Sequence, residues 1–328
     1  MVKLSKFDYK LLFEIDKNAR QSFSTIAKKL KTSQQVVSYR TKSLEKRNVL
    51  DGYFAIINFS RLGYTNYRIM IRFSNMNEKS RESILHYLKD HKNVLWLVEC
   101  SGKWDMIVNF MARNVFELNK DMNQLRSVFP EQIQNYDILT MVEVVWFGRD
   151  YFFRKQRDIK KNISLGNDFE PINIDKKDCM ILSILSERAR ASVLEISQKT
   201  NISTKIVIKR IKQMQEKNLI QGFKPLIHLE HTPFTIYKAL IKFQNSTEKK
   251  EKEILNYLMP NPHVVGQLKF IGLWDFEVEF EVENKEQMLD FTHKFRDRFK
   301  DVIKEFETIQ LNKEYKYNFF PRDLRTHT

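Results

Sequence analysis

Apolar positions recur at helical spacing from the first residues onward. Phe7, Leu11, Leu12 and Ile15 share a face, which predicts a helix over residues 6–16, and Ile181, Leu182 and Leu185 repeat it further along. Ser22 precedes Ile26 and Ala27 as the N-cap of a second helix, and its counterpart Ser192, with Glu195 three residues on, reads as a capping box. Ser33 and Ser203 are placed to cap a third helix, in which Val37, Thr41 and Leu44, or Val207, Ile211 and Met214, point one way. Asn48 and Asn218 suit left-handed caps, and the strands DGYFAIINF and QGFKPLIHL follow. Three short helices and a strand make a winged head.

Beyond the strand the pattern becomes strand (64–73), helix (78–89), strand (94–100), a GKW turn, strand (105–112), helix (115–129) and strand (133–147). The order βαββαβ is the ferredoxin-like split motif, an antiparallel sheet with both helices on one face. The opposite face is expected to carry Arg68, Met70 and Arg72 beside Ile107, Asn109 and Met111, and in a second copy Lys238, Leu240 and Lys242 beside Glu277, Glu279 and Glu281. Charges on neighbouring strands of the second copy would pair, and its surplus acid could face the arginines of the first across a sheet-to-sheet contact.

The second copy follows from an ungapped internal match. Asp8 pairs with Asp178, Arg20 with Arg190, Gly102 with Gly272 and Trp104 with Trp274, always at a shift of 170 residues. Bias toward Lys, Ile and Phe cannot produce matched Gly and Trp. The fold class expected is therefore α/β (α+β), two tandem units each made of a winged helix-turn-helix and a ferredoxin-like domain. The boundaries read as head one at 1–60, sheet domain one at 61–149, a linker at 150–174 containing RKQRDIKKN, head two at 175–230 and sheet domain two at 231–320.

Charge sharpens the picture. The chain of 328 residues carries a formal net charge of +15, which suits phosphate-bearing partners or simply keeps a Lys-rich chain soluble. Residues 1–60 hold twelve Lys or Arg against five acids, so much of the excess sits in the head. The turn before each third helix is short enough for that helix to enter a major groove of double-stranded DNA. With the apolar face inward, Gln34, Gln35, Ser38, Tyr39, Arg40 and Lys42 are the candidate DNA-binding residues of copy one, and Thr204, Lys205, Ile208, Lys209, Arg210 and Lys212 those of copy two. The first set offers amides and a tyrosine to base edges, the second lysines and an isoleucine that could meet a thymine methyl. An operator with two dissimilar half-sites is expected.

Cys100 and Cys179 lie far apart without a C-x-x-C pair, so neither a disulfide framework nor a zinc ribbon is expected, and a reducing cytoplasm fits. No secretory leader or long apolar span is read. No catalytic triad, P-loop or dinucleotide-binding glycine pattern is seen, so neither catalysis nor a cofactor is expected.

These residues resemble the leucine-responsive, or feast/famine (Lrp/AsnC), family of transcriptional regulators. The resemblance rests on FDYKLLFEI, NARQS and SQQVVSYRTKSLE, and on a Gly-x-aromatic-Asp turn present twice. It implies winged heads joined by back-to-back sheets, with a small amino-acid-like effector near that turn and further self-association. The implied effector residues are Gly102, Lys103, Trp104 and Asp105, with Gly272, Trp274 and Asp275. A purely structural role is the alternative, in which Gly permits the turn, Trp fills the core and Asp binds backbone amides. Leu273 replaces a polar residue of the family pattern, and Lys31 and Asn201 stand where the family has Gly. Two other readings stand beside this one: an effector sensor of the same fold that has lost DNA contact, and an enzyme, since siroheme decarboxylases resemble the same architecture. The decarboxylases would need His and Arg groups around a tetrapyrrole, and His228 and His231 are the candidates, which could otherwise hold a metal or be surface histidines.

Overall fold

A computed structural model describes residues 2–153, 162–321 and 324. The basic run 154–161, the centre of the expected linker, lies outside the described residues.

Unit one begins with α1 (Lys6–Lys17), α2 (Phe23–Leu30), α3 (Gln34–Lys46) and β1 (Leu50–Ile57). It continues through β2 (Thr65–Phe73), α4 (Glu78–Asp90), β3 (Val94–Ser101), β4 (Met106–Ala112), α5 (Val115–Val128) and β5 (Ile133–Trp146). A short strand β6 (Ile163–Gly166) lies in the connecting stretch. Unit two repeats the order as α6 (Lys176–Glu187), α7 (Val193–Thr200), α8 (Thr204–Glu216), β7 (Ile220–Ile227), β8 (Thr235–Phe243), α9 (Glu248–Leu258), β9 (Val264–Ile271), β10 (Phe276–Val282), α10 (Lys285–Arg298) and β11 (Ile303–Tyr317).

Local signals account for most helix ends. Ser22, Ser33 and Ser192 accept the expected cap hydrogen bonds, and Asn48 and Asn218 adopt φ of 54° and 55°. The capping box expected at Ser192 is only half formed, because the Glu195 carboxylate turns to Arg188 at 2.6 Å. Ser203 makes no side-chain cap bond. Full capping boxes occur instead at Ser5 with Asp8 and Asp175 with Asp178, ahead of the two first helices.

The strand after each head does not fold back on its own helices. β1 and β7 pair antiparallel with one another, so the wing of each head is completed by the other copy. Reciprocal bonds tie the heads across this pseudo-twofold. Ala19 N–H donates to Phe223 O and Ala189 N–H to Tyr53 O, while the Arg20 guanidinium reaches Ala189 O and that of Arg190 reaches Ala19 O. The matched arginines of the repeat are thus mutual clamps.

Each split motif forms a four-stranded sheet, and the two sheets join edge to edge. β5 pairs with β2 over its first half and β9 over its second, and β11 passes likewise from β8 to β3. The ladders β2-β4-β3-β11-β8-β10-β9-β5 therefore close into a ring of eight antiparallel strands, with β6 added beside β5. Helices α4 and α5 cover one outer face and α9 and α10 the other, each over its own apolar layer. The inner face shares a single core with the heads.

That inner face carries the expected charges. Lys238 lies directly across from Glu279 in the ladder, at 2.6 Å, and is also 2.6 Å from Glu277. Arg68 crosses from the other sheet to Glu277, is held by Asn109 Oδ1 at 3.1 Å, and lies between the rings of Trp96 and Phe270. Burial alone would raise the Glu277 carboxyl, but Arg68 and Lys238 outweigh it and hold the group low. Two expected members sit elsewhere. Arg72, beside a register shift in its ladder, is exposed at the rim and donates to Lys103 O at 2.9 Å, and Lys242 donates to Gly272 O at 3.0 Å. Glu281 is met by Arg149 at 2.8 Å and by the Tyr151 hydroxyl, both from the connecting stretch. With Arg149, Tyr151 and Phe152 packed inward and β6 paired, that stretch is more ordered than its composition suggests.

Candidate nucleic-acid interface and effector turns

The third helix of each head is held by three inward side chains and bares the rest. Val37, Thr41 and Leu44, and Val207, Ile211 and Met214, are buried. Gln34, Gln35, Tyr39 and Lys42 are exposed on α3 with Ser38 half-buried, and Thr204, Lys205, Ile208, Lys209 and Lys212 are exposed on α8. Tyr39 keeps 72% of its surface and Ile208 56%. Val36 and Ile206 are also bared, and sequence reading left them out although their positions adjoin the chosen ones.

Arg40 and Arg210 differ from the other candidates. Arg210 is bound by Asp175 at 2.7 Å and Asp178 at 2.8 Å, and Arg40 lies 3.8 Å from Asp8. Both arginines brace the third helix against the first one's capping carboxylates. Between the second and third helices the chain turns through left-handed residues, Lys31 and Asn201, each at φ 53°. A Cβ is tolerated there at some cost, so glycine is not required.

The Gly-x-aromatic-Asp turns are alike in backbone role and unlike in surface. Asp105 and Asp275 each accept a backbone N–H, from Phe73 and Phe243, both at 2.8 Å. Trp104 and Trp274 are buried, and neither indole N–H has a partner among the described residues. Gly102 and Gly272 sit at φ 132° and 150°, and each packs on the other unit's long strand, Gly102 beside Ile309 and Gly272 beside Ile138 and Leu139. A Cβ on Gly272 would lie 2.9 Å from Ile138 O, so this turn has no room for a side chain. Lys103 covers the face of Trp104 in copy one, while copy two bares Ile271 and Leu273.

His228 faces Asp51 at 3.0 Å and Glu230 at 3.2 Å, and its ring lies 6.1 Å from that of His231. The hydrogen bond to Glu230, with Asp51 assisting against partial burial, pushes its pKa up to about 9. Cys100 and Cys179 are buried and not joined in a disulfide. Among the described residues no helix is long and apolar enough to cross a membrane.

Comparison with known proteins bears on both halves of this arrangement. A family profile for winged helix-turn-helix DNA-binding domains matches residues 4–51, and one for AsnC-type helix-turn-helix domains matches 174–215. An uncharacterized HTH-type transcriptional regulator of Pyrococcus furiosus is 31% identical over 121 residues, covering 37% of this chain and 80% of the relative. The HTH-type transcriptional regulator Ptr1 of Methanocaldococcus jannaschii is 27% identical over 117 residues, covering 36% and 78%. Among solved structures, that of the siroheme decarboxylase NirDL has the same fold end to end. It gives a TM-score of 0.63 at 13% identity, covering 98% of this chain and 97% of that one.

Proposed function

The chain belongs to the Lrp/AsnC family of helix-turn-helix transcriptional regulators, and from that premise we infer that it binds double-stranded DNA through α3 and α8 as a covalent pseudo-dimer. The observation that carries this reading is the pair of bared third helices on heads clamped to one another by the β1–β7 ribbon. Gln34, Gln35, Ser38, Tyr39 and Lys42 meet one half-site, and Thr204, Lys205, Ile208, Lys209 and Lys212 the other. Arg40 and Arg210 fix the angle of their helices through the first-helix carboxylates, reaching phosphate at most secondarily. An amino-acid-like effector would meet the turns at Gly102–Asp105 and around Gly272, Trp274 and Asp275, where the unpartnered indole N–H groups of Trp104 and Trp274 support a ligand-responsive role. Further self-association would run through the same sheet domains.

Affinity for the chain's own upstream DNA and for random duplex of equal length, measured across a salt series, tests this reading. Preference for the upstream DNA, with log affinity falling steeply against log salt, is expected. Equal affinity for both duplexes, or none at low salt, would sink it.

The end-to-end likeness to NirDL favours a second reading, a tetrapyrrole decarboxylase on the same scaffold. Two features weigh against it. His228, with a pKa of about 9, is protonated at neutral pH and so is a poor general base. The cations inside the strand ring are already matched by acids, leaving little to bind a polycarboxylate. A shifted tetrapyrrole absorbance on mixing would revive it.

A further inference from the structure

Inside the ring of strands lies a small cavity of about 50 Å³ whose walls include Asn66, Trp96, Trp146, Glu314, Tyr317 and Phe319. Trp146, Glu279, Glu314 and Tyr317 also bound a second cavity of about 70 Å³, which runs under the wing ribbon to Phe54 and Lys224. The two are contiguous through these shared walls. Glu279 keeps 20% side-chain exposure beside a Lys238 that keeps 1%, so the space communicates with solvent.

The charges around this space do not balance. Lys238 is taken by Glu277 and Glu279, Arg68 by Glu277, Arg149 by Asp16 and Glu281, and Lys224 by Asp16. Glu314 is left over. Its Oε1 accepts one hydrogen bond, from Trp96 Nε1 at 2.6 Å, and no cation lies within ion-pair distance among the described residues. In the same wall Asn66 is 1% exposed, and its Oδ1, closed off from the cavity, has no partner among the described residues. The acceptor that the cavity presents without a counter-charge is therefore Glu314, which is costly unless something answers it. The remaining wall is aromatic: Trp146 lies 5.2 Å from Phe319 and 6.2 Å from Tyr317, ring centre to ring centre. A carboxylate and electron-rich rings together select a cation with N–H donors and an apolar body.

We propose that this cavity binds a small primary alkylammonium ligand, its ammonium on Glu314 and its tail against Trp146 and Tyr317. The site is separate from the DNA-facing helices and from the two turns, and its test does not depend on either. Burial has pushed the Glu314 carboxyl up to about 6, so the charged form that binds an ammonium is lost in mild acid.

The test is calorimetric titration of the full chain with butylamine, butyrate and butanol, which share a tail and differ in charge. Butylamine is expected to bind at pH 7.5 and raise the melting temperature, while butyrate and butanol do neither. Glu314→Gln keeps the acceptor for Trp96 and should weaken butylamine at least tenfold; binding by the unaltered chain should fall about tenfold at pH 5. Trp96→Phe removes the donor that favours the ionised form, so its binding midpoint should move to higher pH. Absence of butylamine binding, equal binding of butanol, or binding indifferent to Glu314→Gln would each overturn the proposal.

Discussion

At the scale of single residues, drawing an ionisable group out of water is costly where no opposite charge answers it, and the half-buried Glu314 shows that cost. Its folded pKa of about 6 stands above the ordinary 4.5, so the folded state favours the protonated form. The sign is opposite to that of a salt-bridged acid: Glu314 weakens the fold fully above pH 6, and the penalty fades as pH falls to 4.5. The shift corresponds to about 2 kcal/mol. Without ligand, Glu314→Gln should therefore stabilise the chain by about 1–2 kcal/mol in urea unfolding at pH 7.5. The gain should shrink toward zero by pH 4.5, and a gain that is flat with pH would contradict this account. Nothing in the local sequence around Glu314 distinguishes it from Glu305 and Glu307 of the same strand; only the closed ring of strands makes it solitary.

At the scale of elements, the heads were legible because helix signals are local. Periodicity gave the three helices and their buried faces, and Asn48 and Asn218 gave the left-handed ends. Caps were less secure, since Glu195 had a better partner in Arg188 than the reciprocal bond at Ser192. Lys31 is the element-scale anomaly, a Cβ-bearing residue without a local side-chain bond at φ 53° in the turn that sets the third helix. The left-handed region costs such a residue about 1 kcal/mol, less for Asn. Lys31→Asn, the residue at the matching Asn201, should raise stability by several tenths of a kcal/mol by urea midpoint, and a loss would mean the Lys31 side chain has an unrecognised role. The exposed faces of α3 and α8 were equally legible, but not that Arg40 and Arg210 bend back to acids at the start of the first helix. Asp8 and Asp178 precede them by 32 residues, and only the packed head brings them together.

At the scale of the whole molecule, one covalent chain does what two identical subunits do in a symmetric dimer, and so its halves are free to differ. Copy two supplies the acids Glu277, Glu279 and Glu281, and Arg68 of copy one answers the first of them. Arg68→Met leaves Glu277 with Lys238 alone, which must also serve Glu279, and should cost about 3 kcal/mol or more. Arg72→Ala, at the rim, should stay within about 0.5 kcal/mol. Comparable losses in the two variants would show that the interior pairing does not hold the halves. The unlike surfaces of α3 and α8 predict the same asymmetry in DNA. Footprinting should find one half-site protected from the first head and a different sequence from the second, and a perfect palindrome of either half bound as tightly as the natural pair would refute it.

The sequence alone determined the repeat, the order of elements in each unit, the inward faces of the helices and the alternation that put charges on the inner face of the sheets, because each is set by periodicity within a few residues of chain. Tertiary structure decided that the wings pair with each other, that β5 and β11 change partners midway and close the ring, that the connecting stretch sends Arg149 and Tyr151 to Glu281, and that Glu314 is left facing an aromatic cavity. Those outcomes depend on contacts between residues far apart in the chain, where loop closure and the competition of charges for partners outweigh any local preference.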